Sequence, residues 1–262
     1  MGAALELLTN LGQIAWLEAA GLVFARLLPI VAFTPIFGGP STPARFRTGL
    51  AILLTIVLTP VVVTVPAESL AGIDWAGLLA KEALVGLTIA IWVRILFEVL
   101  ASCGAVIDVT RGATIANVFD PVTRAQTSVL SAFFLQFAVV VFLTAGGHRI
   151  FLAALGQSFV AVPAAEPLPA ALLGGATTGA ILTLFGEMLV IALQLAAPVV
   201  AVMLILDIVL GLLNRVAPQV QVFFLSMTVK ATLGIWILFL TIGLVFEKAL
   251  ATIVDRLAAW PG

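Results

Sequence analysis

Ionisable side chains are scarce in this chain. Charged residues fill 10% of its 262 positions and hydrophobic residues 63%, against roughly 25% and 45–50% in a soluble domain. A soluble core cannot absorb that excess, so the composition is that of an integral membrane protein. Cysteine occurs once, at Cys103, which excludes an internal disulfide and reads as a small buried hydrophobe. Histidine also occurs once, at His148, so one chain cannot build a multi-histidine metal site. The net charge of −1 offers no basic field for nucleic acid. Residues 1–25 hold Glu6 and Glu18 but no Lys or Arg. The positive start of a cleavable signal peptide is therefore missing, and the first apolar helix is expected to act as its own insertion signal. Walker loops, zinc-ligand pairs, nucleophile elbows and dinucleotide-binding glycines are absent too. No catalytic, cofactor-binding or metal-binding residue is assigned, and no enzymatic activity is expected.

Long apolar runs are what the chain has instead. The stretches 27–44, 48–67, 125–147, 167–186 and 188–206 carry no Asp, Glu, Lys or Arg. A membrane helix needs roughly 20 apolar residues, so several of these are long enough to span. Six apolar segments emerge, at about 12–37, 48–66, 76–101, 126–162, 176–213 and 222–254. The last three exceed one span, which predicts tilting, bending or breakage. Pro29, Pro35 and Pro198 each remove a backbone donor inside an apolar run, and Gly38-Gly39, Gly146-Gly147 and Gly174-Gly175 punctuate others. The expected fold is all-α, a polytopic membrane protein of helical hairpins with broken helices. The whole of 1–262 forms one membrane-embedded domain.

Against this background a few charges stand out. Arg26, Lys81, Glu82, Arg94, Glu98, Glu187, Asp207 and Lys230 lie in or beside apolar runs. An ionised group at a bilayer centre costs roughly 2.5–3.5 kcal/mol even on a mild scale, so these groups are expected to find partners, water or other subunits. Arg94 and Glu98 are spaced i, i+4, and Asp108 and Arg111 i, i+3, as local neutralising pairs would be. Lys81 and Glu82 are adjacent and should face different ways on a helix. Asp207 precedes Asn214 by one heptad, which suits an interhelical hydrogen bond or an ion site. The 102–125 connection, with Asp108, Arg111 and Arg124, reads as a long loop too apolar for disorder. Trp16, Trp75, Trp236 and Trp260 lie near segment ends, as interfacial anchors do. Arg45, Arg47, Arg111, Arg124 and Arg215 fall in alternate connections, which the positive-inside rule places in the cytoplasm, with both termini outside.

Several strings resemble one family. TPIFGGPSTPARFRTGLAILLTIVLTP (34–60), IDVTRGATIANVFDP (107–121), LTAGGHRIFLAAL (143–155) and above all DIVLGLLNRVAPQVQVFFLSMTVK (207–230) look like the flagellar export protein FliR and its virulence-system counterpart SctT. Asn, Arg and Pro together inside an apolar run, as in LLNRVAPQ, make the last string the most specific. Lys81-Glu82, the Asp108 to Arg111-Gly112 spacing and FFLSMTVK are more similar to the virulence-type SctT branch. Thr228, where SctT proteins usually have Pro, departs from it.

The resemblance implies a subunit of the type III secretion export gate. It implies assembly with FliP/SctR-like and FliQ/SctS-like partners into a helical funnel in the bacterial inner membrane, next to FlhB/SctU-like and FlhA/SctV-like export proteins. Unfolded protein substrates would pass through its lumen. Residues 1–125 would be a FliP/SctR-like part containing the 102–125 central loop. Residues 126–192 would be middle helices, and 193–262 a FliQ/SctS-like hairpin with a C-terminal tail. The resemblance places a pore plug at Gly112, Ala113, Thr114, Ile115, Ala116, Asn117, Val118 and Phe119. Within it, Gly112 and Ala113 allow close backbone approach, while Ile115, Val118 and Phe119 can form a dry constriction. Charged and turn residues expected to hold the assembly are Asp108, Arg111, Asp207, Asn214, Arg215, Pro218 and Lys230. A secondary transporter or ion-conducting protein with an acidic midplane site at Asp207, Glu187 or Glu98 is the alternative. A membrane enzyme would need an acid/base or nucleophile cluster that no spacing supplies.

Overall fold

The computed structural model of the chain describes residues 2–37, 42–62, 75–113, 128–164, 166, 175–219 and 221–258. Among the described residues every regular element is helical. The order is α1 (Gly2–Phe33), a 3-10 turn (Pro35–Phe37), α2 (Ala44–Val62), α3 (Trp75–Thr110), α4 (Val129–Thr144), α5 (Gly147–Ala161), α6 (Gly175–Val216) and α7 (Val222–Ala258). Among the described residues four stretches, Trp16–Phe33, Trp75–Thr110, Thr178–Val216 and Val222–Arg256, are long and apolar enough to cross a membrane. There are five if α4 and α5 together count as one span. The all-α, multi-pass expectation is met, although the segment read at 48–66 is not among these spans.

The breaks follow local chemistry. The long 126–162 segment divides at Ala145-Gly146, where Gly146 adopts φ 80°, a conformation that suits residues without a Cβ. Ser128 caps α4 by accepting from the Ser131 amide. Prolines break less than expected. Pro29 and Pro198 lie inside continuous helices, and so does Pro60. Each forfeits one backbone bond, and the turns on either side keep theirs. Only Pro35 falls at a helix end, opening the 3-10 turn after Thr34. A second departure concerns 102–125. Its first nine residues are not a loop, because α3 runs on through Asp108 to Thr110. Ser102, Gly104 and Ala105 are small enough for the helix to continue in a crowded place. A Cβ on Gly104 would lie 2.7 Å from the backbone of Leu130 and Ser131.

The chain forms two compact units, each drawn from separated segments. The first comprises Met1–Arg94, Gly146–Leu182 and Arg256–Gly262, and the second Ile95–Ala145 and Thr183–Asp255. In the first, α1 turns Ala19, Leu22, Val23, Arg26, Leu27, Ile30 and Val31 inward at helical spacing. Helix α2 packs on α1 through Ala51, Thr55 and Thr59, and each of these threonine hydroxyls donates to the carbonyl four residues back, at 2.7 Å. Arg47 ties the start of α2 to the end of α1 by donating to the Ala32 carbonyl at 3.0 Å. In the second unit, phenylalanines fill the core. Phe97 meets Phe142 edge-on with centroids 5.3 Å apart, and Phe246 meets Phe134 and Phe137 at 5.4 and 4.5 Å.

Helices α1 and α3 approach most closely at Gly86, where a Cβ would fall 2.1 Å from the Arg26 carbonyl oxygen. Backbone cannot swing aside as a side chain can. Gly86→Ala should therefore lower stability by about 1–3 kcal/mol or more. Gly49→Ala, with nothing within 4 Å, should be neutral or stabilise through helix propensity, by up to about 1 kcal/mol. Thermal aggregation midpoints of the two variants in mild detergent should move in these opposite senses.

Candidate functional site

Three ionic clusters organise the described residues. The deepest centres on Arg26, whose side chain is 0% exposed, as is that of Glu82. Arg26 Nε donates to Glu82 Oε2 at 2.5 Å and Nη2 to Oε1 at 2.9 Å, a two-pronged fit of guanidinium to carboxylate. The remaining donors are also placed. Nη1 reaches the Ser158 carbonyl at 2.8 Å and its hydroxyl at 3.3 Å, and Nη2 reaches the Val162 carbonyl at 2.7 Å. The guanidinium also lies 3.9 Å from the Phe159 ring centroid. Lys81 joins from the adjacent position. Its Nζ lies 2.7 Å from Glu82 Oε1 and donates to the Pro163, Ala164 and Glu166 carbonyls at 2.8, 3.0 and 2.8 Å. This corrects the expectation that Lys81 and Glu82 face apart. The lysine stem is long enough to bend its ammonium back to the neighbouring carboxylate. Two cations and one anion thus fasten 158–166 to α1 and α3.

The second cluster surrounds Asp108, on the inward stripe of α3. Oδ1 accepts from Arg111 Nε at 2.7 Å and pairs with Nη2 at the same distance. Oδ2 accepts from the Ser128 hydroxyl at 2.5 Å and the Leu130 amide at 2.9 Å. The expected local pair forms, and the same carboxylate also holds the start of α4, 20 and 22 residues further on. Gly112 adopts φ 78° and its amide donates to the Val109 carbonyl at 3.1 Å, ending the helix as a left-handed glycine commonly does. Of the plug residues only Gly112 and Ala113 are placed. Thr114, Ile115, Ala116, Asn117, Val118 and Phe119 lie outside the described residues.

The third cluster joins α6 to α7, where Lys230 Nζ pairs with Asp207 Oδ1. Asp207 is thus matched by a lysine rather than by Asn214, which is exposed along with Arg215 and Pro218. The acidic midplane site of the transporter alternative already holds a cation of its own at this point. Arg94 and Glu98 are both exposed. Glu98 lines a cavity of about 20 Å³ with Ile95, Ser102 and Phe185, room for about one water. Among the described residues no three His, Cys, Asp or Glu side chains group as a metal site would need.

Sequence alone marks Arg26, Lys81 and Glu82 as charges in apolar runs and does not single them out as site residues. A signal was present, since Arg26 falls on the Leu22, Val23, Leu27, Ile30 spacing. Its partner 56 residues away could not be read from spacing. Removing one member of such a buried pair leaves a charge unmet and costs roughly 3–5 kcal/mol. Glu82→Ala should therefore remove most folded chain from the membrane. The triple change Arg26→Met, Lys81→Met, Glu82→Leu should lose much less, because no charge is stranded. Quantitative immunoblotting of membranes and limited proteolysis check the ranking.

These clusters bind helices to one another. The model of the family described as bacterial export proteins, family 1, matches residues 17–255. The flagellar biosynthetic protein FliR of Pectobacterium carotovorum subsp. carotovorum is 30% identical over 253 residues, covering 94% of each chain. The surface presentation of antigens protein SpaR of Salmonella typhimurium is 32% identical over 223 residues, 85% of this chain and 82% of its own. The secretion system apparatus protein SsaT of the same organism is 29% identical over 221 residues, 83% of this chain and 84% of its own. With nearly its whole length matched by the family model, the chain belongs to the bacterial export proteins of family 1, the FliR/SctT family.

Proposed function

We propose that the chain is a non-enzymatic subunit of the type III secretion export gate in the bacterial inner membrane. In this reading it assembles with FliP/SctR-like and FliQ/SctS-like subunits into the entry pore for unfolded protein substrates, beside FlhB/SctU-like and FlhA/SctV-like proteins. Residues 1–125 supply a FliP/SctR-like part and 193–262 a FliQ/SctS-like hairpin and tail, with 126–192 between them. Relatives of both kinds support a secretion role, being flagellar and secretion-system proteins at 30% and 29–32% identity. The Lys81-Glu82 and Asp108 to Arg111 pairs favour the virulence-type branch, with flagellar export next.

One observation carries the proposal. Thr178–Val216 is 39 residues long and holds an 18-residue stretch of mean hydropathy 2.7, yet only 28% of that stretch is buried within the chain. At 1.5 Å per residue the full length is a contour of about 58 Å. A hydrocarbon layer of about 30 Å covers about 40 Å of it even at a 40° tilt. Val222–Arg256 repeats the pattern over 35 residues, with 22% of its own 18-residue apolar stretch buried. Apolar helices longer than the bilayer need protein around the excess, as a subunit of a larger helical assembly has.

Expressed alone, the chain should aggregate or be degraded, and co-expression of FliP/SctR-like and FliQ/SctS-like partners should raise its monodisperse yield severalfold. An equally stable monomer without partners would count against the reading. The plug assignment is tested separately. Deletion of Gly112 to Phe119 should leave assembly intact and make cells carrying the full gate leak small ions, measured as conductance or proton leak. Normal assembly with a membrane as tight as wild type would remove the plug.

A further inference from the structure

Asp207 is poorly placed for a membrane carboxylate with only an internal role. Its side chain is 51% exposed, while that of Lys230, its cation, is 17% exposed. Around it on α6 stand Leu204, Ile205, Ile208 and Val209, all more than half exposed. Nine residues separate Asp207 from the end of α6 at Val216, about 14 Å along the axis. If that end sits at the interface, the carboxylate lies near the bilayer midplane, about 15 Å deep. Lipid tails offer it nothing, and a half-exposed carboxylate at that depth is where a charge is least tolerated. One turn further on, Gly211 has no atom within 4 Å of where a Cβ would stand. The helix surface is therefore notched beside the charge, which lets another backbone come close.

We infer that this face of α6 is a docking surface for an apolar helix of a neighbouring subunit that carries a Lys or Arg, seated at Gly211 with its cation on Asp207. The inference rests on the export-gate reading and adds a specific contact to it. Asp207 then serves two cations, Lys230 from within and one from outside. An apolar helix and lipid alike would leave the exposed side of the carboxylate unmet. A basic helix is the covering whose chemistry matches it. Lys230 orients the carboxylate from within, and the neighbour's cation takes the lone pairs that Lys230 leaves exposed.

A charge exchange separates the internal role from the external one. The double change Asp207→Lys with Lys230→Asp rebuilds the internal pair but turns a cation outward. In the full complex it should lose co-purifying sister subunits by tenfold or more for each chain recovered, as Asp207→Lys alone does. Recovery of wild-type co-purification by the exchange would show that the pair is only internal and would overturn the inference. Should the exchanged chain fail to accumulate, a photo-crosslinking residue in place of Ile208 decides instead. Adducts are expected on an apolar helix of a sister subunit with Lys or Arg within one turn of the linked position. Adducts with lipid only, or with a helix lacking a basic residue there, would overturn it. Failure of the export-gate reading itself looks different, because the unaltered chain would then co-purify with no sister subunit.

Discussion

Once Arg26 lies in the core, it dictates the arrangement of everything around it. A guanidinium has five N–H donors and cannot shed its charge. Without water it must be met by oxygen on every side. Glu82 answers the charge, the Ser158 and Val162 carbonyls take the remaining donors, and Phe159 offers its ring face. Lys81 then balances the opposite edge of Glu82 and gathers three more carbonyls. The carbonyls of Val162, Pro163, Ala164 and Glu166 follow the end of α5, past its last helical turn. The two cations supply those donors, and the close crossing of Gly86 on Arg26 brings α1 near enough for α3 to share them. Geometry is set here by satisfaction of polar groups, since apolar contact alone would let the helices slide.

The ionic clusters leave the outside of the chain to be explained by apolar surface. Arg26, Glu82, Lys81, Asp108 and Arg111 are met by groups in the same chain. Demand for company therefore comes mainly from length and hydropathy. Helices α6 and α7 are apolar over more contour than a bilayer can cover. In the proposed export gate, the other members of the assembly supply the missing walls. The half-exposed Asp207 is the point where polar and apolar demands coincide.

Helix positions were legible where an apolar run ends at glycine, proline or charge. The 222–254 segment corresponds to Val222–Ala258 and the 176–213 segment to Gly175–Val216. The error at 102–110 has a physical cause. Small residues and an aspartate look like loop chemistry, yet here Gly104 marks a tight helix crossing and Asp108 is paid for by four contacts. Pro29, Pro60 and Pro198 do not end their helices, since each removes a single backbone donor. Of the site residues, the Asp108–Arg111 pair was readable from its i, i+3 spacing. The Arg26–Glu82 and Asp207–Lys230 pairs were not, because they join residues 56 and 23 positions apart. Helices apolar all round give no periodicity from which to tell an inward face.

The sequence by itself determined that the chain is helical and membrane-embedded, because composition and run length are local properties. Its strings also sufficed to point to the family. Only the tertiary structure decided which charge answers which, that Lys81 bends back to Glu82, and that one carboxylate at position 108 ties α3 to the start of α4. Those choices depend on helix crossings. Crossings are fixed by contacts between segments far apart in the chain, which no local spacing encodes.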